Sequence, residues 1–333
     1  MKTLLLTALA FIPAIFADPY GQVSTGQGWI YTRLGNQNDV QTTTTPGIMF
    51  EGGGTDVDGA YQWMCKKANG GDFLVIRTSG DADYNPYIAG LCPGINSVST
   101  LRIYDRGASQ QFVYDTIMHA EALFIAGGNQ ADYVFFWQNT PVNQAINALA
   151  ARGVPIGGTS AGNAILAQFA YSATHGGSET SSEALANPFN FLITIDDGFL
   201  NLSPLLRDKI TDDHFVTRDR MGRMITFLAR ILQDGSATQA SGIALDEQTA
   251  FLMEADGTGT AIGVSTVYFL RTPGPAQVCQ PYTPLTFLDV PVYRISAGGT
   301  FNIASWTGTG GAAYTISAVT GALQSTQPGG GIY

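Results

Sequence analysis

The sequence predicts an α/β fold: a doubly wound, mainly parallel sheet with helices on both faces, followed by a β-rich C-terminal appendage. Three observations carry this expectation. Short, wholly apolar runs at 73–76 and 122–126 are what parallel strands need when both faces are covered. Between residues 47 and 168 such runs alternate with helical stretches, the pattern of a parallel α/β sheet. Three glycine-rich loops, at 52–54, 127–130 and 157–162, follow strands, where a doubly wound sheet binds its ligands.

Taken in order, residues 1–17 (MKTLLLTALAFIPAIFA) have a basic Lys2, an apolar run from Leu4 to Ile15 and Ala17 at the cleavage position. They read as a secretory signal peptide, so a secreted, extracellular protein is expected. The apolar run is too short to span a membrane comfortably. Residues 18–46, polar and threonine-rich, read as an irregular N-terminal extension. The main domain, 47–271, opens with a strand at 47–51, a helix at 57–68 capped by Asp56, and a strand at 73–76. A helix at 85–91, a strand at 98–104, a helix at 109–119 and a strand at 122–126 follow. Helices at 131–138 and 141–152 lead to a strand at 154–156 and a further helix from Asn163. Beyond it the pattern loosens into a polar loop at 172–187. An amphipathic helix at 218–233 then buries Met221, Met224, Ile225, Leu228, Ile231 and Leu232. A strand at 242–246 precedes a hairpin turned at Asp256-Gly257, a dipeptide suited to tight turns. Residues 272–333, dense in turn formers with alternating apolar positions, form the appendage of short strands.

Composition narrows the function. The net charge is −10 with only 13% charged residues, which argues against a nucleic-acid partner. The three cysteines, Cys65, Cys92 and Cys279, suit one disulfide and one leftover thiol in an oxidising compartment, and their spacing does not say which two pair. No metal-ligand spacing and no phosphate-binding glycine motif is present, so neither a metal nor a cofactor is expected. Asn201-Leu202-Ser203 is an N-glycosylation sequon.

The chemistry concentrates at Gly158-Thr159-Ser160-Ala161-Gly162, a G-x-S-x-G sequence between a strand and a helix start. That context places a serine hydroxyl on an exposed, strained turn. Free backbone N–H groups at the start of the following helix suit a developing oxyanion. Ser160 needs a base, and there are three histidines. His119 ends a helix, and His175 lies in the polar loop beyond the serine's helix. His214 stands in Thr211-Asp212-Asp213-His214-Phe215 at the entry to an arginine-bearing helix and is the candidate base. The carboxylate that would orient it is Asp246 or Glu247, neighbours that point to opposite faces of a strand.

Four segments together resemble the cyanophycinase family of serine peptidases, related to aspartyl dipeptidase. They are 124–130 (FIAGGNQ), 157–162 (GGTSAG), Asp212-Asp213-His214-Phe215 with Arg218, Arg220 and Arg223, and 242–247 (GIALDE). The likeness runs from about Gly47 to Arg271 and implies a fold similar to class I glutamine amidotransferases. It also implies Ser160 as nucleophile, His214 as base and Glu247 as its orienting carboxylate. Backbone N–H groups at Gly128 and Ala161 would form the oxyanion hole, and Gln130, Asp212, Arg218, Arg220 and Arg223 would hold substrate. Asn129, Asn163 and Asp213 depart from the family's pattern of aspartate, alanine and glutamine, and Asp213 adds negative charge beside the base. The resemblance implies hydrolysis of cyanophycin-like or β-aspartyl peptides through an acyl-enzyme. The expected partners are a peptide or aspartyl-amide substrate and a second copy in a homodimer, with no nucleic acid or membrane. Two other readings share these residues: an inactive binding protein of the same fold, and an esterase using the same elbow, whose triad order would be serine, acid, histidine.

Overall fold

The computed structural model describes residues 19–108 and 111–333, so the predicted signal peptide and Ser109, the start of a predicted helix, lie outside it. Its strands are β1 (Gln22–Gly26), β2 (Trp29–Gly35), β3 (Gly47–Glu51), β4 (Asp72–Arg77), β5 (Ser97–Ile103), β6 (Ala122–Ile125), β7 (Ile156–Thr159), β8 (Phe169–Tyr171) and β9 (Ile195–Asp197). They continue with β10 (Lys209–Asp212), β11 (Ser241–Leu245), β12 (Thr249–Glu254), β13 (Thr258–Gly263), β14 (Thr266–Arg271), β15 (Phe287–Asn302), β16 (Thr307–Val319) and β17 (Ala322–Ser325). The α-helices are α1 (Asp58–Ala68), α2 (Tyr84–Leu91), α3 (Gln111–Met118), α4 (Gln130–Trp137), α5 (Pro141–Ala151), α6 (Ser181–Ala186) and α7 (Met221–Gln233).

Five strands form the parallel heart in the order β5-β4-β6-β7-β3. Their side chains are almost all buried, as strands covered on both faces must be. A second parallel set, β11-β10-β8, is joined to the first through the antiparallel strands β12 to β15. The α/β fold with a parallel core and a strand-rich C-terminal region is the one the sequence predicts, while the sheet as a whole is mixed where a mainly parallel one is expected. Two registers matter for the site. Glu51 at the end of β3 pairs with Thr159 at the end of β7, so loop 52–54 and the Ser160 turn emerge side by side. Asp212 at the end of β10 pairs with Ala244 of β11, so His214 and the Asp246-Glu247 pair leave neighbouring strand ends.

Several expectations need correction. Residues 18–46 are not irregular throughout: β1 and β2 form a hairpin, and β2 runs antiparallel along β5 from Trp29–Ile103 to Gly35–Ser97. Only Trp29 and Thr32 of β2 are fully buried, so this edge hairpin shows little apolar patterning. The elbow is followed by a 3-10 helix, Ser160–Ile165, and not an α-helix, because the chain re-enters the sheet as β8 from Phe169. Loop 172–187 contains α6, started by a capping box between Thr180 and Glu183. Helix α7 starts at Met221, and every residue from Met221 to Ala229 is buried, since α6 and β15 cover the flank that would otherwise face water. The appendage strands β15 and β16 are long, and they continue the sheet from β13 and β14.

Cys65 of α1 and Cys92, just past α2, form the disulfide, with Cα atoms 6.1 Å apart. Cys279 is free, and burial pushes its thiol up to about 11. Among the described residues no helix is long and apolar enough to cross a membrane, and no group of three metal-ligating side chains occurs.

Candidate active site

The turn that carries Ser160 is shaped by missing side chains. A Cβ on Gly158 would stand 2.6 Å from the Gly162 carbonyl oxygen, and one on Gly162 would overlap the Ile125 carbonyl. With both glycines the chain folds back tightly enough to leave Ser160 at φ +50°, in the left-handed region that non-glycine residues rarely occupy. Its Oγ lies 2.8 Å from His214 Nε2. His214 Nδ1 in turn lies 2.5 Å from Glu247 Oε1. Serine, imidazole and carboxylate thus stand in line, from three separate strand ends.

Of the two carboxylates left open by the sequence, Glu247 reaches the imidazole. Asp246 turns the other way and accepts hydrogen bonds from the backbone N–H groups of Val216 and Thr217 and from the Ser265 hydroxyl. Burial opposes its charge, but these donors outweigh it and hold the carboxyl below its usual range. Asp246 therefore fixes the loop that follows His214, while Glu247 faces the ring.

Loop 52–54 is the floor beneath all three side chains. The Gly52 carbonyl accepts from His214 N–H at 2.8 Å, and the Gly53 carbonyl accepts from Gln248 N–H at 2.8 Å. A Cβ on Gly53 would come within 2.5 Å of His214 Cε1 and 3.1 Å of Ser160 Cβ. A Cβ on Gly54 would lie 3.1 Å from Glu247 Oε2. Both glycines have positive φ, +88° and +77°, so conformation and close approach both demand glycine.

On the other side of Ser160 runs the Gly127-Gly128 loop, where a Cβ on Gly127 would lie 3.6 Å from Ser160 Cβ. The Tyr133 hydroxyl holds this loop by donating to the Ala126 carbonyl at 2.7 Å. Gly128 is exposed, and Ala161 is the second residue of the 3-10 helix, where a backbone N–H has no partner within its own helix. Gln130, half-buried, opens α4 directly beyond, with the Asn129 side chain capping that helix through Ala131 N–H.

The three arginines are not equivalent. Arg223 is 1% exposed and grips Asp212 with two nitrogens, Nε donating at 2.9 Å. Burial works against its charge, but Asp212 outweighs it and raises the guanidinium above its ordinary range. Arg220 is also buried and donates to Asp213 Oδ1 at 2.5 Å; that same oxygen lies 3.7 Å from His214 Nε2. Both guanidinium groups also reach the Ser178 hydroxyl, at 3.4 and 3.2 Å. Arg218 alone is half exposed, with Nε 3.9 Å from Glu247 Oε1. The structure therefore brings Asp212, Arg220 and Arg223 to the site as a buried ion-pair network behind His214, and leaves Arg218 facing solvent.

His175 is elsewhere, exposed and stacked on Phe191. His119 is exposed at the end of α3. Asn163 ties the elbow to β10, donating to the Asp212 carbonyl at 3.2 Å and accepting from Thr211 Oγ1 at 2.6 Å. Tyr333 carries no motif and sits far along the chain, yet its hydroxyl donates to Asp219 Oδ1 at 2.7 Å and accepts from Met221 N–H at 2.9 Å. It caps α7, whose N-cap residue Arg220 makes no side-chain cap. No local pattern in the sequence signals such a contact.

Comparison with known proteins agrees with this architecture. A cyanophycinase from Synechococcus elongatus is 26% identical over 216 residues, covering 63% of this chain and 62% of its own length. Another, from Geminocystis herdmanii, is 28% identical over 214 residues, covering 62% and 71%. The chain thus spans less than two thirds of the first relative. The crystal structure of a peptidase from an acI-B1 Actinobacterium superposes with a TM-score of 0.50 at 16% identity, over 79% of this chain and 98% of that one, a likeness of fold. The sequence profile of peptidase family S51 matches residues 94–260, half of the chain. Ser160, His214 and Glu247 all lie within that stretch, and the chain belongs to peptidase family S51.

Proposed function

We propose that this protein is a secreted serine peptidase that hydrolyses amide bonds at aspartyl residues, in cyanophycin-like or β-aspartyl peptides, through an acyl-enzyme. The observation that carries the reading is the continuous relay from Ser160 Oγ to His214 Nε2 and from His214 Nδ1 to Glu247. In the first half-reaction Ser160 Oγ attacks the amide carbon while His214 Nε2 takes the hydroxyl proton. Glu247 steadies the imidazolium so formed. The backbone N–H groups of Gly128 and Ala161 receive the oxyanion, and His214 then protonates the departing amine. In the second half-reaction His214 takes a proton from water, hydroxide attacks the acyl carbon, and Ser160 leaves with its proton restored.

The substrate class rests on family membership and on relatives named cyanophycinases. Arg218, exposed beside the relay, gives a substrate carboxylate a cation to meet. Secretion rests on the leader-like residues 1–17 and fits the Cys65–Cys92 disulfide, a bond that persists in oxidising compartments. The order serine, histidine, acid separates this triad from the esterase arrangement.

The test is labelling of the purified protein by a fluorophosphonate, alongside hydrolysis of cyanophycin and a panel of α- and β-aspartyl peptides. Labelling should disappear in Ser160→Ala, and peptide turnover should fall by roughly 10⁴-fold or more. Turnover unchanged in that variant would remove Ser160 from the mechanism. Labelling without cleavage of any aspartyl peptide would keep the serine and refute the substrate class.

A further inference from the structure

Directly behind the floor loop lies a group of ionisable side chains that the relay does not use. Glu51, the last residue of β3, is 0% exposed. Its Oε1 accepts from Val57 N–H at 2.7 Å, a bond that closes residues 51–57 into a ring. Its Oε2 lies 3.2 Å from the Tyr61 hydroxyl. That hydroxyl also lies 2.9 Å from Asp56 Oδ1, and the Tyr84 hydroxyl lies 3.2 Å from the same oxygen.

Counting protons decides the charge state. A tyrosine hydroxyl has one proton to donate but can also accept. Tyr84 donates to Asp56. Tyr61, 2.9 Å from Asp56 and 3.2 Å from Glu51, can donate to only one of two carboxylates. Both contacts are hydrogen bonds if Tyr61 donates to Asp56 and a protonated Glu51 donates to the Tyr61 oxygen. Glu51 is the acid that keeps the proton, because it is fully buried whereas Asp56 is partly exposed. Burial first, and the Asp56 charge second, push Glu51 up to about 8.

We propose that Glu51, as a neutral carboxylic acid, is a positioning residue for the relay: it locks loop 52–56 in the shape that seats Ser160, His214 and Glu247. The lock acts through the backbone. The ring closed by Val57 N–H contains Gly52 and Gly53, whose carbonyls hold His214 N–H and Gln248 N–H. Loss of the Glu51 proton leaves two carboxylates competing for the single Tyr61 proton, with one of them fully buried.

Burial and the Asp56 charge outweigh the support that Val57 N–H, Thr159 and Tyr61 give the anion. From β7 Glu51 faces the Thr159 hydroxyl, and across β12 it faces Ala250. The helices α1 and α2 present Tyr61, Tyr84 and Tyr87, and Asp56 and Asp83 add negative charge. Arg77, 5.8 Å from the Tyr84 ring centre, is engaged with Asp83 at 2.9 Å. Asp58 accepts a hydrogen bond from the Tyr87 hydroxyl at 2.7 Å.

This inference rests on Ser160 being the nucleophile, so its test separates the two claims. The rate of fluorophosphonate labelling is measured from about pH 6 to about pH 10 for the wild type, Glu51→Gln and Glu51→Ala. The wild-type rate should fall roughly tenfold as pH rises through about 8. The amide of Glu51→Gln accepts from Val57 N–H through its oxygen and donates to Tyr61 through its nitrogen. It should match the wild type at neutral pH and lose the alkaline fall. Glu51→Ala should label at least about tenfold more slowly throughout. An alkaline fall that persists in Glu51→Gln overturns the proposal, as does wild-type labelling by Glu51→Ala. Should Glu51→Ala fail to fold, Glu51→Gln carries the test.

A wild type that does not label at all overturns the serine reading and the positioning role with it, and melting curves then decide the neutral-acid lock alone. Between 4.5 and about 8 the folded Glu51 holds a proton that the unfolded chain has lost. Its contribution to stability is therefore full below that window and lost as pH rises through it. Glu51→Gln should lack this loss, so its melting temperature should gain on the wild type across the window. Parallel curves overturn the lock.

Discussion

Ser160 and His214 both sit at positive φ, at +50° and +44°, but their turns are held in place by different physics. The serine turn is fixed by close backbone packing: Gly158 and Gly162 admit the chain where any Cβ would collide with main-chain atoms. The histidine turn is fixed by charge and hydrogen bonds. Asp212–Arg223 and Asp213–Arg220 lie behind it, Asp246 anchors the residues after it, and Tyr333 caps the helix beyond. The first arrangement is local, built from five consecutive residues and the end of β6. The second draws on α7, loop 172–187 and a residue beyond β17. A serine held by sterics has little room to move, whereas a histidine held by charges is sensitive to whatever alters them.

The largest effect should come from breaking the steric side. In Gly162→Ala the added methyl meets the carbonyls of Ile125 and Ala126, which belong to the end of β6 and cannot swing aside as a flexible side chain could. A cost of more than about 3 kcal/mol is expected, with loss of fluorophosphonate labelling. The denaturant midpoint measures the first and the labelling rate the second. A variant as stable as the wild type would mean that the elbow yields, and the contrast between the two turns would fail.

The electrostatic side should give next. Arg223→Ala removes the nearer partner of a carboxylate that is itself 1% exposed, leaving only Arg220, 3.7 Å away, to offset the buried charge. With that second partner in place the loss should cost about 3 kcal/mol, the low end for a broken buried ion pair. The double variant Asp212→Asn with Arg223→Met should recover much of it, because no unpaired charge remains. Urea unfolding of both distinguishes a network that supports the base loop from one that is dispensable. A cost under about 1 kcal/mol for Arg223→Ala would show the latter.

The same contrast explains what could be read from the sequence. The elbow was legible because its constraint is local: glycine, serine and glycine at fixed spacing between a strand and a helix start. The parallel strands were legible because burial on both faces leaves wholly apolar runs such as 73–76. The residues alone leave Asp246 and Glu247 open, since adjacent residues reach opposite ways; the family resemblance implies Glu247, and Glu247 is the one in contact with His214. The family resemblance implies that Arg223 holds substrate, and nothing in the sequence shows how deeply its side chain is buried. Its burial depends on α6 and β15 closing over α7, a tertiary fact. The N-terminal hairpin escaped notice for a related reason: β1 is almost wholly exposed, so its polar sequence resembles a loop.

The smallest effect on stability, and the sharpest test of how the site meets substrate, belongs to Arg218. Its side chain is 52% exposed and its guanidinium stands 3.9 Å from Glu247, an ion pair that solvent and salt weaken. Arg218→Ala should therefore change folding stability by less than about 1 kcal/mol. Binding is another matter. Arg220 and Arg223 have given their donors to Asp213, Asp212 and Ser178, so an incoming carboxylate meets Arg218 as the arginine of the trio not tied to a buried acid. For an aspartyl peptide, KM should rise roughly tenfold with kcat little changed, the mark of an interaction made equally in the ground and transition states. Added salt should raise the wild-type KM towards that of the variant, because screening removes what the mutation removes. An unchanged KM would place the anion-holding group elsewhere, and with Arg220 and Arg223 buried, the backbone donors around Gly128 would be the next to examine.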